Sequence, residues 1–332
     1  MKARRAALVI LGLGLSAAAV WILLRQVSAR DLVQNLRHAS PGWLIAACLV
    51  TTLGYVVRAF RWGVILAPEV RVPFPRLFSA TMIGFLAINT LPARIGELVR
   101  AYVLARTERI PTATVLGSVV IERVFDLALL TSFWALSLVF APYPKWFQWS
   151  GYLTVGLGVV ATGALWLLHA GHYRSDSWGA RLKSAIPPRF LAPVERPIAS
   201  FSAGLRAFGR PSALGRAGVA SVVMWLVSGA VFLLVAKSMG MRIPLWSPFL
   251  LSYIVCVAIM VPSAPGFIGV LEGSCVVGLA LLGVDASRAL AYGVLYHVAQ
   301  IVPVVLLGGY YSTRGHVSLG GGGTKKLTTV PG

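Results

Sequence analysis

The chain has 332 residues, 57% of them hydrophobic and 12% charged, with a mean hydropathy of +0.79. A soluble fold has too little interior to bury that much apolar surface, so the composition excludes a soluble globular protein and points to a membrane domain. The net charge of +20 does not imply nucleic-acid binding, because no basic soluble module with a known readout pattern accompanies it. Short basic loops on the cytoplasmic side of a membrane account for it instead.

The N-terminus carries Lys2, Arg4 and Arg5 and then runs apolar from Ala6 to Leu24. Ser16-Ala17-Ala18-Ala19 has the look of a signal-peptide cleavage site, but the apolar run is too long for an ordinary signal sequence, so an uncleaved first helix is expected. Six segments read as full crossings, roughly 6–24, 43–66, 112–140, 150–169, 217–237 and 289–310. Residues 25–42 read as a loop. Two other apolar stretches, 77–106 and 248–283, are each split by a Pro/Gly cluster, at 89–96 and 262–269. Each half is about 14 residues, or about 21 Å of helix, and too short to span comfortably. A re-entrant hairpin or a broken helix fits better.

The expected fold is therefore an all-α polytopic membrane protein with about six transmembrane helices and two helical hairpins. If both hairpins return to the side they came from, 20 of the 30 Lys and Arg lie in inside segments and seven in outside ones. That bias places both termini in the cytoplasm and suits the plasma membrane. The three Arg of the first outside loop are its weakest point. The hairpins share a Pro-x-x-x-Gly spacing (Pro92/Gly96 and Pro262/Gly266), which suggests an inverted repeat, with coincidence as the alternative. The membrane domain is read as 1–316, including a basic loop at 170–216, and 317–332 as a disordered tail. In that loop Phe190, Leu191, Ile198, Phe201 and Leu205 suit either an interfacial helix facing lipid or a plain solvated linker.

Chemistry concentrates in three motifs. Glu122-Arg123-x-x-Asp126 lies about 10 residues into its crossing, so about 15 Å deep. A charge at a helix centre costs roughly 2.5–3.5 kcal/mol, so the three need compensation. They read as a structural ion network or as a polar lining for a charged substrate or a proton. Asn89-x-x-Pro92-x-Arg94-x-Gly96-Glu97-x-x-Arg100 places a proline where a new helix would begin, with free N–H groups that attract an anion. Arg94 adds a fork suited to phosphate. Glu97 and Arg100, one turn apart, are candidates to pair, and snorkelling of Arg100 is the bland alternative. Pro262-x-x-Pro265-Gly266-x-x-Gly269-x-x-Glu272 would set a second helix end against the first, with Glu272 pairing to an arginine across the repeat. Weaker signals are Arg58-x-x-Arg61-Trp62, for which interfacial anchoring is the default and headgroup contact the alternative, and Tyr296-His297-x-x-Gln300 in the last crossing. Cys48, Cys256 and Cys275 lie in apolar segments without metal or disulfide spacing. No Walker A, Gly-x-Ser-x-Gly or His-Glu-x-x-His run occurs, so no cofactor, metal or bound ATP is expected.

These three motifs, in this order, resemble the lysylphosphatidylglycerol synthase transmembrane region, or flippase-like domain, over about 10 to 312. The resemblance implies a domain that moves phospholipids, such as aminoacylated phosphatidylglycerol, between leaflets. In bifunctional members a soluble aminoacyltransferase domain follows. The chain ends at Gly332 without one, so it is not expected to make lysyl-lipid itself. Related domains also occur with glycosyl-lipid pathways. Two departures stand out: Phe267 where members often have a second Gly after Pro-Gly, and His297 near where they often carry Arg. The leading expectation is a lipid flippase with a membrane phospholipid as substrate. The alternative is a non-catalytic membrane partner of a separate lipid-modifying synthase or glycosyltransferase. A membrane-embedded transferase is the weakest reading, since no nucleophile is apparent.

Overall fold

The computed structural model describes residues 28–91, 95–173, 199–260 and 263–314, together with Gly14, Ser16, Ala18, Trp21 and Pro197. All regular structure among them is helical. In chain order the helices are α1 (Ala29–Arg37), α2 (Pro41–Leu66), α3 (Phe74–Thr90), α4 (Gly96–Glu108), α5 (Thr112–Phe140), α6 (Lys145–Tyr173), α7 (Pro211–Ser238), α8 (Ser247–Ile259), α9 (Val270–Ala280) and α10 (Ala286–Arg314). Three of them, α2, α7 and α10, are long and apolar enough to cross a membrane. Helices α5 and α6 match α10 at 29 residues, about 43 Å of helix. The crossing expected at 6–24 falls almost wholly outside the described residues, as does the tail at 317–332.

Both split stretches form hairpins. Helices α3 and α4 pack along one another, as do α8 and α9. The first hairpin closes through glycine: a Cβ on Gly96 would stand 2.3 Å from the Gly84 carbonyl oxygen, and one on Gly84 would stand 2.5 Å from the Arg100 Cβ. Only residues without a side chain let the two backbones approach this closely. The second hairpin turns through Gly266 and Gly269 at φ of +74° and +83°, with Phe267 also in the left-handed region at +60°. The two tips meet, the Gly266 Cβ position lying 3.5 Å from the Asn89 carbonyl oxygen. The Ala264 amide donates to Ser16 Oγ at 2.9 Å, which ties the second tip to the N-terminal segment.

Helix α1 corrects the expectation of a loop at 25–42. Its Leu32 and Leu36 are one turn apart and pack into clusters built on α10, while Asn35 donates to Ser287 Oγ at 3.4 Å. Nine residues with three charges give no hydropathy signal, but an i,i+4 pair of leucines suffices once a partner surface exists. The basic loop is corrected where it is described. Residues 199–204 are helical, Leu205 is fully buried with Ile65, Ile121 and Ala217, and Phe201 packs against the same cluster. A Cβ on Gly204 would meet the Thr114 carbonyl oxygen at 2.0 Å, so this segment is clamped to α5 and does not face lipid. Phe190, Leu191 and Ile198 lie outside the described residues.

The outward faces are apolar. Ile45, Leu49 and Leu53 form an exposed i,i+4 stripe on α2, and Trp146 and Trp149 are exposed at the start of α6. Lipid, not water, is the solvent such a surface matches, and tryptophans at a helix end suit the membrane interface.

Candidate functional site

Three helices bring charge to one place. On α5, Glu122 and Asp126 are one turn apart and share a face; on α2, Arg58 and Arg61 do the same; on α4, Glu97 and Arg100 do. Arg61 is completely buried. Its Nη1 donates to Asp126 Oδ1 at 2.6 Å and to Ser221 Oγ of α7 at 3.1 Å, and its Nη2 to Glu122 Oε1 at 3.3 Å. Arg100 Nη2 donates to the other Glu122 oxygen, and its guanidinium lies 4.4 Å from the Trp62 ring centroid. Trp62 in turn donates to Ser118 Oγ at 2.9 Å. Trp225 of α7 adds a 3.3 Å bond to Asp126. Burying these charges would be prohibitive singly; reciprocal pairing makes it tolerable.

Arg123 faces the other way. It bridges Asp126 at 3.1 Å and Glu97 at 3.5 Å, with 41% of its side chain exposed. Arg58 reaches Asp126 only at 4.0 Å, sits 5.2 Å from the Phe85 ring and makes no hydrogen bond among the described residues.

Both line a cavity of about 600 Å³ between α2, α3, α4, α5, α7, α8 and α10. Asn89, Gly96, Glu97, Arg100, Asp126 and His297 line it too. The rest of the wall is largely apolar, including Tyr55, Phe85, Leu127, Val231, Phe267 and Leu271. Arg61 and Glu122 stand behind this wall. Pro265, Gly266, Gly269 and Glu272 belong to the second hairpin, which reaches the cavity through Phe267 and Leu271. Pro92, Arg94 and Pro262 lie outside the described residues.

Several expected pairings are corrected. Glu97 pairs with Arg123 and Arg100 with Glu122, not with each other. On α4 the i,i+3 pair is outcompeted by the parallel pair on α5, since buried groups find partners across helices. Arg100 does not snorkel, being 2% exposed, and the anchoring reading of Arg61 and Trp62 fails because both are fully buried. Among the described residues Glu272 has no arginine partner: it accepts from the Gly269 amide at 2.7 Å and sits 2.5 Å from His297 Nδ1. Helix α4 starts at Gly96 and α9 at Val270, each beyond its Pro/Gly cluster's prolines in the chain. Each of those helices carries its own acid in the first turn, Glu97 and Glu272. The positive end of α9 is thus already served by a carboxylate of its own chain.

The crossing expected at 217–237 is α7, but its contribution to the site was not foreseen. Ser221, Trp225 and Ser228 fall at i, i+4 and i+7 on one face of an otherwise apolar helix; Ser221 and Trp225 bind the network, and Ser228 lines the cavity. That polar stripe was the available signal. Among the described residues no three of His, Cys, Asp and Glu gather as a metal site.

Together, the apolar exterior, the paired helical hairpins and the charged central cavity define an all-α integral membrane protein. The chain belongs to the family described as the lysylphosphatidylglycerol synthase TM region, whose profile matches residues 9–308. It is 25% identical to glycosyltransferase AglD of Haloferax volcanii, over 91% of this chain and 53% of that protein. It is 25% identical to UPF0104 membrane protein MJ1078 of Methanocaldococcus jannaschii, over 67% of this chain and 91% of that protein. A shorter match to MJ1595 of the same organism is 27% identical over 33% of this chain and 34% of the relative. The chain thus spans about half the length of AglD and about a third of MJ1595.

Proposed function

We propose that this protein moves an anionic or aminoacylated phospholipid, or a related lipid-linked headgroup, between membrane leaflets. The observation that carries the reading is the cavity: an apolar wall interrupted by Arg58 and Arg123, whose guanidiniums are the least saturated of the network. Four guanidiniums (Arg58, Arg61, Arg100, Arg123) face three carboxylates (Glu97, Glu122, Asp126), an excess of one positive charge. A phosphodiester carries one negative charge, and arginine forks match its oxygens. The volume of about 600 Å³ suits a headgroup of small-ligand size, with acyl chains left in lipid. Asn89 and the Glu97 carboxylate are placed to contact its polar substituents. The domain takes in residues 1–316 and sits in the plasma membrane with both termini cytoplasmic, in keeping with the distribution of its basic residues.

The test is leaflet exchange of fluorescent phospholipids, anionic and aminoacylated, in liposomes carrying the purified protein. Exchange above protein-free vesicles, lost in Arg123→Gln with folding intact, supports the reading; equal exchange by wild type and variant overturns it.

A second reading follows from the match to a protein named a glycosyltransferase, half of whose length this chain spans. On that reading the chain is the membrane partner of a lipid- or glycolipid-modifying enzyme. Co-purification with a transferase, and no exchange when reconstituted alone, would favour it.

A further inference from the structure

His297 and Glu272 form a buried pair that phosphate binding does not use. His297 lies in α10 and lines the cavity, 9% exposed. Its Nδ1 sits 2.5 Å from Glu272 Oε1. The other Glu272 oxygen is taken by the Gly269 amide at 2.7 Å, so the carboxylate is held in place by the first turn of α9. With Nδ1–H donating to that carboxylate, the neutral imidazole carries its lone pair on Nε2. Nε2 is buried and has no hydrogen-bond partner among the described residues. A buried acceptor left open costs free energy and is normally filled.

Resting on the lipid-moving reading above, we infer that His297, held by Glu272, is a proton-binding site coupled to headgroup binding. The charge balance sets the sign. Among the described residues, adding the Glu272 carboxylate to the network gives four guanidiniums against four carboxylates, which balance while the imidazole is neutral. A proton taken up at Nε2 makes the site singly positive. No bond breaks and nothing else moves. A phosphodiester binds that state better, and by reciprocity a bound phosphodiester raises the site's affinity for the proton.

The other titratable or charged groups around the cavity come from four of the elements that wall it, besides α10 itself. They are Tyr55 and Arg58 on α2, Glu97 and Arg100 on α4, Arg123 and Asp126 on α5, Cys256 on α8, and Tyr296 on α10 itself. Helices α3 and α7 contribute none to the lining, Cys275 of α9 lies beside Glu272 in the core, and α1 meets α10 at Ser287, far from His297 in the helix.

The experiment is calorimetric titration of the detergent-solubilised protein with dihexanoyl-phosphatidylglycerol, in two buffers of different ionisation enthalpy between pH 5.5 and 8. Wild type should take up as much as about one proton per lipid bound, with affinity tightening by up to about tenfold per pH unit of acidification. In His297→Gln the uptake should vanish and the affinity become flat with pH. His297→Arg, which fixes the positive charge, should bind tightly at every pH. Lipid binding by wild type without proton uptake, or the same uptake in His297→Gln, overturns the coupling and leaves the lipid-moving reading intact. No binding and no vesicle exchange by wild type at any pH overturns both.

Discussion

Replacing Arg61 by Met should destabilise the protein far more than replacing Arg123 by Gln, although both residues contact Asp126. Arg61 is 0% exposed and serves two carboxylates and a serine hydroxyl. Breaking a buried pair by deleting one partner costs roughly 3–5 kcal/mol, because the surviving charge stays buried. Here Asp126 keeps Arg123 and Trp225, and Glu122 keeps Arg100, so the low end, about 3 kcal/mol, applies. At roughly 2 °C per kcal/mol for a chain of this size, melting should fall by about 6 °C. Adding Glu122→Gln should deepen the loss, because the buried Arg100 then has no carboxylate partner. Arg123 is 41% exposed to the cavity, and a pair at that exposure contributes about 0–1 kcal/mol. Its loss should cost a charge-assisted bond to phosphate, about 1.5–3 kcal/mol, or roughly ten- to hundredfold in lipid affinity. Fluorescence-detected melting in detergent and the vesicle exchange assay read the two effects. Wild-type melting of Arg61→Met, or a large melting loss in Arg123→Gln with exchange retained, would refute the division of the network into a buried and a working layer.

Gly96→Ala should cost about 1–3 kcal/mol by overpacking, because its Cβ would meet α3 backbone at 2.3 Å; Gly156→Ala, with nothing within 4 Å, should melt like wild type. Tyr292→Phe removes a 2.7 Å bond to the Phe232 carbonyl and should lower stability by about 1 kcal/mol. Phe267→Gly should relieve about 1–2 kcal/mol of left-handed strain at φ +60° while opening the cavity wall. It should therefore speed thiol labelling of the cavity-lining Cys256 in a background where Cys48 and Cys275 are alanine; unchanged labelling would mean that the ring does not restrict entry.

Much of this was written in the sequence. A GluArg-x-x-Asp run in the middle of an apolar helix announces a partnered network, because no isolated charge survives there. The Pro/Gly clusters announced hairpins, because the halves are too short to cross. What the sequence did not show was who pairs with whom. Glu97 and Arg100 are one turn apart and look like partners, yet each finds its counterpart on α5. Arg61 and Trp62 stand near a helix end and look like anchors, yet α5 and α7 close over Arg61 and α4 and α5 over Trp62. Helix α1 and the polar stripe of α7 gave weak local signals and acquired meaning only through α10 and Asp126. Periodicity along one helix reports which residues share a face. It does not report which face meets it.

The depth of the network explains how a ligand could enter without loosening the fold. Helices α4 and α5 are joined twice by ion pairs: by Arg100–Glu122, buried behind the cavity wall, and by Glu97–Arg123, at 3.5 Å and partly exposed. A phosphate that displaced Glu97 from Arg123 would exchange one anion for another at a solvated position, where the pair contributes little. The buried pair would still hold the two helices in register. Had the protein only the exposed pair, each binding event would part α4 from α5. Had it only the buried pair, the described guanidiniums left to a headgroup would be Arg100, held by Glu122, and Arg58, which already leans on Asp126 at 4.0 Å. The desolvation cost of the inner layer is what permits the outer layer to change partners.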